Sequence, residues 1–457
     1  MTIDVRNNFG KVTVSIGYDA SATSITLTSG HGANLPSTFD YNLVWYNWTD
    51  YKDPADDPNV EIVRVTNRVT DTLTVTRAQE GTTGTTKNTA SKTYKMALAV
   101  TKKMVDDIET DIATASGKKL KNLIINPMFE IGQRGTVFDA STTFTNDDDT
   151  YLSDRYILLS DGNDIVDVTH QTDGGVSGND PYVRFDVETI SKKFGYLQVI
   201  ENANLKEVLG GNVSFSFEAR VSDATKLSDI RAVVLAWDST VDTVTSDVVS
   251  AWNAEGAVIT PATNWTAENV AADLGVTATW ARYTIENISI DTASAVNVAI
   301  FIYSNDVATN DTLGSLFEMT KIQLEPGTVA TPFEYRDIEI DIAKAQRHFV
   351  KTYNIDVDPG TIENNGSMWA ASDSSNSASS SRPWRFAVEM FAEPVITFYS
   401  PGTGATGKCR RVDVTPSDID AVTLLNTIGT GGMMHQVNAA VVASNRYAFH
   451  MTAEAEL

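Results

Sequence analysis

Val213-Ser214-Phe215-Ser216-Phe217 alternates apolar and polar side chains, the period of two expected of a strand that buries one face and wets the other. Ile25-Thr26-Leu27-Thr28 and Leu73-Thr74-Val75-Thr76 repeat that pattern, and Val296-Asn297-Val298-Ala299-Ile300-Phe301-Ile302-Tyr303 is a longer strand-like run. Clusters of Gly, Asn and Asp punctuate such runs along the chain, as turns between antiparallel strands require. The reading is an all-β protein.

Helical periodicity surfaces twice. Leu98, Thr101, Val105, Ile108 and Ile112 follow a 3-4-3-4 spacing among Lys102, Lys103, Asp106, Asp107 and Glu109, a short coiled-coil seam that three copies of the chain can share. A lone helix of this length is marginal in water, so the seam needs a partner surface, either other copies or its own domain. The second helix is expected from Ile338 to Val350, with Ile338, Ile342, Ala345 and Phe349 on one face. These helices divide the chain into an N-terminal β-domain (1–97), a linker helix (98–118), a central β-domain (119–336), a connector helix (337–352) and a C-terminal β-domain (353–457). The serine-rich stretch 372–381 is too small and polar to build a core and is expected to be a loop. No internal repeat is visible.

The chain has 457 residues, room for about three domains without staples. Its 35 basic and 59 acidic side chains give a net charge of −24, which argues against nucleic acid or an anionic membrane as partner. Cys409 stands alone, and His31, His170, His348, His435 and His450 are scattered, so neither a disulfide scaffold nor a zinc site is expected. No basic stretch followed by an apolar run opens the chain and no run is long enough to cross a bilayer, so the expectation is a soluble protein without an export signal.

Catalytic signals are weak. Asp147-Asp148-Asp149 reads as a cation site or as a solvated turn, and the absence of regularly spaced oxygen ligands after it favours the turn. Asp161-Gly162-Asn163-Asp164 lacks the distal glutamate of a calcium loop and reads as a hairpin turn, while Gly429-Thr430-Gly431-Gly432 lacks the Lys-Ser or Lys-Thr of a phosphate loop. No metal or cofactor is assigned, and no catalytic residue. Tryptophan offers more, because a sugar ring stacks its apolar face on an aromatic plane while amides and acids take its hydroxyls. Trp237, Trp252 and Trp265 lie in a stretch rich in Asp, Ser, Thr and Asn, and Trp369 adjoins the serine-rich stretch, making these four the glycan-binding candidates. The alternative for Trp237, which ends Val233-Val234-Leu235-Ala236, and for Trp280 is plain strand core.

Asn122-Leu123-Ile124-Ile125-Asn126-Pro127-Met128-Phe129-Glu130-Ile131-Gly132-Gln133-Arg134-Gly135 resembles the opening strand of a central domain found in many bacteriophage tail-fibre proteins. Ser153-Asp154-Arg155-Tyr156, with tyrosine where that family has tryptophan, Val213 to Arg220, Phe317 to Tyr335 and Ala345-Gln346-Arg347-His348-Phe349 resemble its later segments. The resemblance covers about 122–350. Phe386 to Pro394 and Phe449 to Leu457 resemble segments of fibre tips, and Thr74 to Thr83 resembles a turn of small β-domains in virion fibre and adaptor proteins. The central family is in turn similar to jelly-roll carbohydrate-binding modules. Those modules often hold a structural calcium through an opening-strand acid, matched by Glu130, and an acid near the closing strand, where this chain has Thr320 and Lys321; that departure speaks against the calcium.

The resemblance implies serial β-sandwiches joined by short helices, a central jelly roll, and a homotrimeric fibre. Its N-terminal domain would attach to tail or baseplate proteins of a virion made in the host cytoplasm. Its distal domains would bind host cell-surface polysaccharide without catalysis, several weak sites acting together through multivalency. Two alternatives stand beside it. One is a tailspike-like depolymerase of capsule or lipopolysaccharide, against which stands the missing long repeat of a β-helix. The other is a head fibre or structural spacer without receptor contact.

Overall fold

A computed structural model describes residues 10–105, 121–172, 174–175, 178, 180–305, 314–372, 378–379, 384–412, 416–420, 428–433, 436–437 and 446–457. The chain forms two compact units, Met1–Lys119 and Leu120–Leu457. Both are built almost wholly from antiparallel strands, as the alternating runs require.

The first unit is a six-stranded sheet in the order Lys11–Thr13, Tyr94–Ala97, Tyr41–Asn47, Glu61–Val69, Thr72–Gln79, Ser24–Thr26. Its edges meet: Ser15 N–H donates to Thr26 O at 2.9 Å and Thr28 N–H donates to Thr13 O at 2.8 Å. The sheet thereby closes on itself around Ile25, Leu43, Trp45, Val63, Leu73 and Met96, removing the open edges at which another strand could add. Inside, the Glu61 carboxylate is fully buried and accepts two bonds of 2.6 Å from the Arg77 guanidinium, which lies 4.8 Å from the Trp45 ring centre. Arg77 belongs to the turn motif quoted above, where Ala78, Glu80 and Gly81 all take positive φ.

Beyond the sheet, residues 102–105 are helical. Leu98 packs on this unit's own core and Thr101 is buried, while Val105 is exposed. Ile108 and Ile112 lie outside the described residues.

The second unit opens with a two-sheet jelly-roll sandwich. One sheet runs Ala281–Ser289, Asn212–Val221, Leu316–Pro326, Tyr182–Val187, Val166–Gln171, Val137–Phe138; the other runs Trp265–Ala267, Ile230–Trp237, Asn297–Ser304, Phe194–Ile200, Ile157–Ser160, Thr150–Tyr151. Phe185, Tyr196, Phe215, Phe217, Ile300 and Phe317 fill the space between them. Residues 161–164 do form a turn, but it passes the chain from one sheet to the other instead of making the expected hairpin.

The helix expected to reach Val350 spans only Ile338–Gln346. Phe349 and Val350 instead pair with Glu454 and Ala453, because strand Phe349–Lys351 adds to the long strand Arg446–Glu454. That strand is the spine of the C-terminal sheet, pairing also with Met368–Ser372, Val395–Tyr399 and Lys408–Arg411 over a core of Phe398, Cys409, Tyr447, Phe449 and Met451. Most of the serine-rich stretch lies outside the described residues.

Candidate functional site

Three of the four candidate tryptophans meet on the outer face of the second sandwich sheet. Trp237 and Trp265 are paired in register with ring centres 5.2 Å apart. Trp252 rests against Phe301 at 6.0 Å and Tyr303 at 6.2 Å. Trp237 and Trp265 are buried, and their indole N–H groups are spent: Trp237 donates to Thr240 O at 2.9 Å, Trp265 to Thr245 Oγ1 at 3.2 Å. The cluster thus pins the long excursion after Trp237 across the sheet. Beside it runs an open groove of about 350 Å³, lined mainly by Val233, Leu235, Val258, Ile259 and Val270. An aliphatic groove offers sugar hydroxyls little; Asn269 is committed to Val234 N and Ala232 O, and among the described residues Glu268 Oε1 is a buried oxygen of the lining without a hydrogen-bond partner. Trp369 lies apart in the C-terminal sheet, 49 % exposed, with the Arg446 guanidinium 5.4 Å from its ring centre. Trp280 packs on Tyr182 and beneath Arg220.

A second concavity forms where the C-terminal sheet meets the sandwich. The segment after the opening strand is shaped by its own side chains: Asn126 binds both Ile131 N at 3.0 Å and Ile131 O at 2.9 Å, and Gln133 donates twice to Asp154 at 2.7 Å. A Cβ on Gly132 would come within 2.7 Å of Gly135 O, so glycine is required there. This folding sends Arg134 inward, fully buried. Its Nη2 donates to Glu454 and Glu456, both at 2.8 Å, and its Cζ sits 4.1 Å from the Phe349 ring centre. Arg155 binds Glu456 too and donates to Val199 O at 2.8 Å. His348 lies between Glu201 Oε1 at 2.8 Å and Ala455 O at 3.1 Å, Arg347 also holds Glu201, and Tyr151 OH donates to Leu457 O at 3.1 Å.

The electrostatics follow from this pairing. Burial would raise Glu201, yet hydrogen bonds from His348 and Arg347 hold it down at about 2. Burial acts likewise on Glu456, but Arg155 and Arg134 keep it below the ordinary carboxylate range. Asp154 is pushed up by burial despite Arg134.

Arg134 is also one wall of a polar pocket of about 220 Å³, shared with Phe138, Phe144, Thr142, Thr143 and Asp358. Its buried Nε and Nη1 have no hydrogen-bond partner among the described residues, Nη1 standing 4.0 Å from Asp154 Oδ1. The Asp358 carboxylate is exposed and, among the described residues, accepts no hydrogen bond; burial of its surroundings raises it and Lys351 lowers it. An open carboxylate acceptor, threonine hydroxyls and two aromatic rings around a small cavity suit a neutral, hydroxyl-rich ligand. An anionic one is disfavoured, since Glu454 and Glu456 already neutralise Arg134 and Asp358 repels. Sequence reasoning missed this pocket. The signal available was that Arg134, Asp154-Arg155, Arg347-His348 and Glu454 to Glu456 all fall within motif segments quoted above, each carrying charge into an apolar context.

The residues to which the resemblance assigns a calcium are engaged otherwise. The Lys321 ammonium lies 2.7 Å from Asp180 and 3.2 Å from Glu218, so the chain supplies its own cation there. Lys321 takes a φ of 51° opposite an irregularity in the pairing at Ser216 and Glu218. Partial burial and the charges of Asp341 and Asp180 raise Glu130. Donor set and lysine together do not fit a bound calcium.

No family model and no curated protein sequence matches the chain. Solved structures do. The enzymatically active domain of tailspike protein 4 from bacteriophage CBA120 aligns at 14 % identity and a TM-score of 0.27, over 45 % of this chain and 21 % of that one. The module TmCBM61, solved in complex with beta-1,4-galactotriose, aligns at 14 % and 0.25 over 45 % of this chain and 99 % of its own. The tandem of carbohydrate-binding modules from Paenibacillus barcinonensis Xyn10C aligns at 13 % and 0.25 over 74 % and 98 %. The fold assigned above rests on the sheets themselves.

Proposed function

We propose that this protein is a virion adhesion protein of the phage tail-fibre kind, in which the unit Leu120–Leu457 binds host cell-surface glycan without cleaving it and the unit Met1–Lys119 attaches to the particle. The observation that carries the glycan reading is the polar pocket between sandwich and C-terminal sheet, where the open Asp358 carboxylate stands with Thr142 and Thr143 beside the Phe138 and Phe144 rings. A sugar hydroxyl can donate to that carboxylate while its ring lies against Phe138 or Phe144. The tail-fibre role is supported by the motif resemblance, whose segments furnish Arg134 of this pocket and Arg155, Arg347, His348, Glu454 and Glu456 of the ion pairs behind it. Self-association would join several such sites, each individually weak.

The test is adsorption of the full chain to purified surface polysaccharides of candidate host cells. Asp358→Ala removes an exposed acceptor and leaves the buried ion pairs in place, so it should weaken adsorption at least tenfold with an unchanged melting temperature. Equal adsorption by the variant would remove the pocket from the reading. Release of new reducing ends would replace binding by depolymerisation.

A further inference from the structure

We propose that the outer face of the first unit's sheet, where Lys11, Lys52 and Lys95 surround Trp48, is a docking site for an acidic polypeptide segment of a protein partner. The three ammonium groups stand 3.9, 4.6 and 4.0 Å from the centre of one indole ring. The sheet brings them together: Lys11 and Lys95 lie on adjacent strands, diagonal across the pair Thr13 and Lys95, and Lys95 faces Tyr46 on the next strand, two residues before Trp48. Lys52 donates to Trp48 O at 2.7 Å and curls over the same ring.

Like charges gathered on one ring repel. Attraction to the indole face offsets part of this, but among the described residues neither Lys11 nor Lys95 has a carboxylate within ion-pair distance. Asp50, two residues after Trp48, is committed to Lys92 and Asn47. Lys95 is correspondingly depressed, by desolvation and by Lys11 and Lys52. Among the described residues Lys11 and Lys95 therefore keep their charge unpaired, while Lys52 spends a donor on Trp48 O.

Charge distribution isolates this face further. Residues 1–105 carry eleven basic and ten acidic side chains, so the whole net negative charge of the chain lies on the remainder. A strongly acidic chain that concentrates unpaired lysines on one sheet face presents a local site for carboxylates, reached only at short range because the rest of the molecule repels polyanions. A docked protein segment meets that condition; a long polynucleotide, repelled along its length, does not. Lysine, a point charge on a flexible stem, pairs with carboxylates of varied geometry, whereas the forked recognition of arginine is absent from the cluster. This proposal stands independently of the glycan reading.

Hexaglutamate is the probe, titrated into the full chain in low salt with Trp fluorescence or calorimetry as readout. Binding should be detectable, should fall at least tenfold in the double variant Lys11→Gln, Lys95→Gln, and should survive in the charge-matched control Lys192→Gln, Lys206→Gln. Glutamine retains most of each stem over the sheet, and an unchanged melting temperature confirms the fold. Absence of binding, equal loss in the control, or a single-stranded oligonucleotide of equal charge binding as tightly as hexaglutamate would each overturn the proposal.

Discussion

The tryptophan-rich face and the pocket between the sheets are both concave, and they are built on opposite principles. The first draws its covering side chains from one stretch of chain, laid over sheet residues such as Leu235, Phe301 and Tyr303, and is held by apolar burial: Trp237, Trp265, Val248 and Ile259 cover the sheet, and the two indole N–H groups are spent on nearby Thr240 and Thr245. The second joins Arg134, Arg155, Glu201, His348 and Glu456, separated by up to 322 residues, and is held by charge in a nearly water-free setting. Apolar burial tolerates loss of one contact gradually. A buried ion pair does not, since removing one partner strands the other.

The difference is broken most directly at Glu456, which is shared by Arg134 and Arg155. Glu456→Ala leaves Arg155 with only the Val199 carbonyl and Arg134 with Glu454 alone, so we expect a loss of about 3–5 kcal/mol in chemical denaturation. Proteolysis should then release the strand Arg446–Glu454 before the sandwich. A loss below about 1 kcal/mol would mean that the pairs do not hold the sheets together.

Acid should separate the two regions next. Glu201 sits at about 2 in the folded protein against 4.5 for the free side chain. A depressed carboxylate stabilises the fold fully above its unfolded value and loses that contribution as pH falls toward the folded one. Between about pH 4.5 and 2 the protein should thus lose roughly 3 kcal/mol through this group, on the scale of about 1.4 kcal/mol per unit. Glu201→Gln should flatten that part of the stability–pH curve. The rings that the clustered tryptophans touch are Trp, Phe and Tyr, none of which titrates in acid, so the cluster should follow only global unfolding; a curve unchanged by the substitution would show that Glu201 is not the acid-sensitive member.

How much of this was legible beforehand differs between the regions for the same physical reason. Alternation at Val213–Phe217 gave the strand because strand geometry is local, and Trp237, Trp252 and Trp265 could be grouped because they are neighbours in sequence. Their burial was also open to reading, since Trp237 ends an apolar run. The end of the helix at Gln346 was not, because the residues that would continue it are claimed by pairing with Glu454 and Ala453 more than 100 positions away. The pocket was hidden for that reason too: nothing near Arg134 in sequence says that Asp358 will stand beside it. Motif resemblance marked the charged segments without indicating that they meet.

The smallest expected effect is the most discriminating between the two concavities. Val270 is 84 % exposed on the rim of the aliphatic groove, so Val270→Asp should change stability by no more than about 0.5 kcal/mol, as for surface sites generally. It nevertheless puts a charge at the mouth of the groove, where a ligand's apolar face would have to lie. If polysaccharide adsorption depends on the polar pocket, Val270→Asp should adsorb as the unsubstituted chain does while Asp358→Ala fails. Should the pattern reverse, the groove beside the tryptophans is where sugar binds and Glu268 becomes the acceptor that orients it.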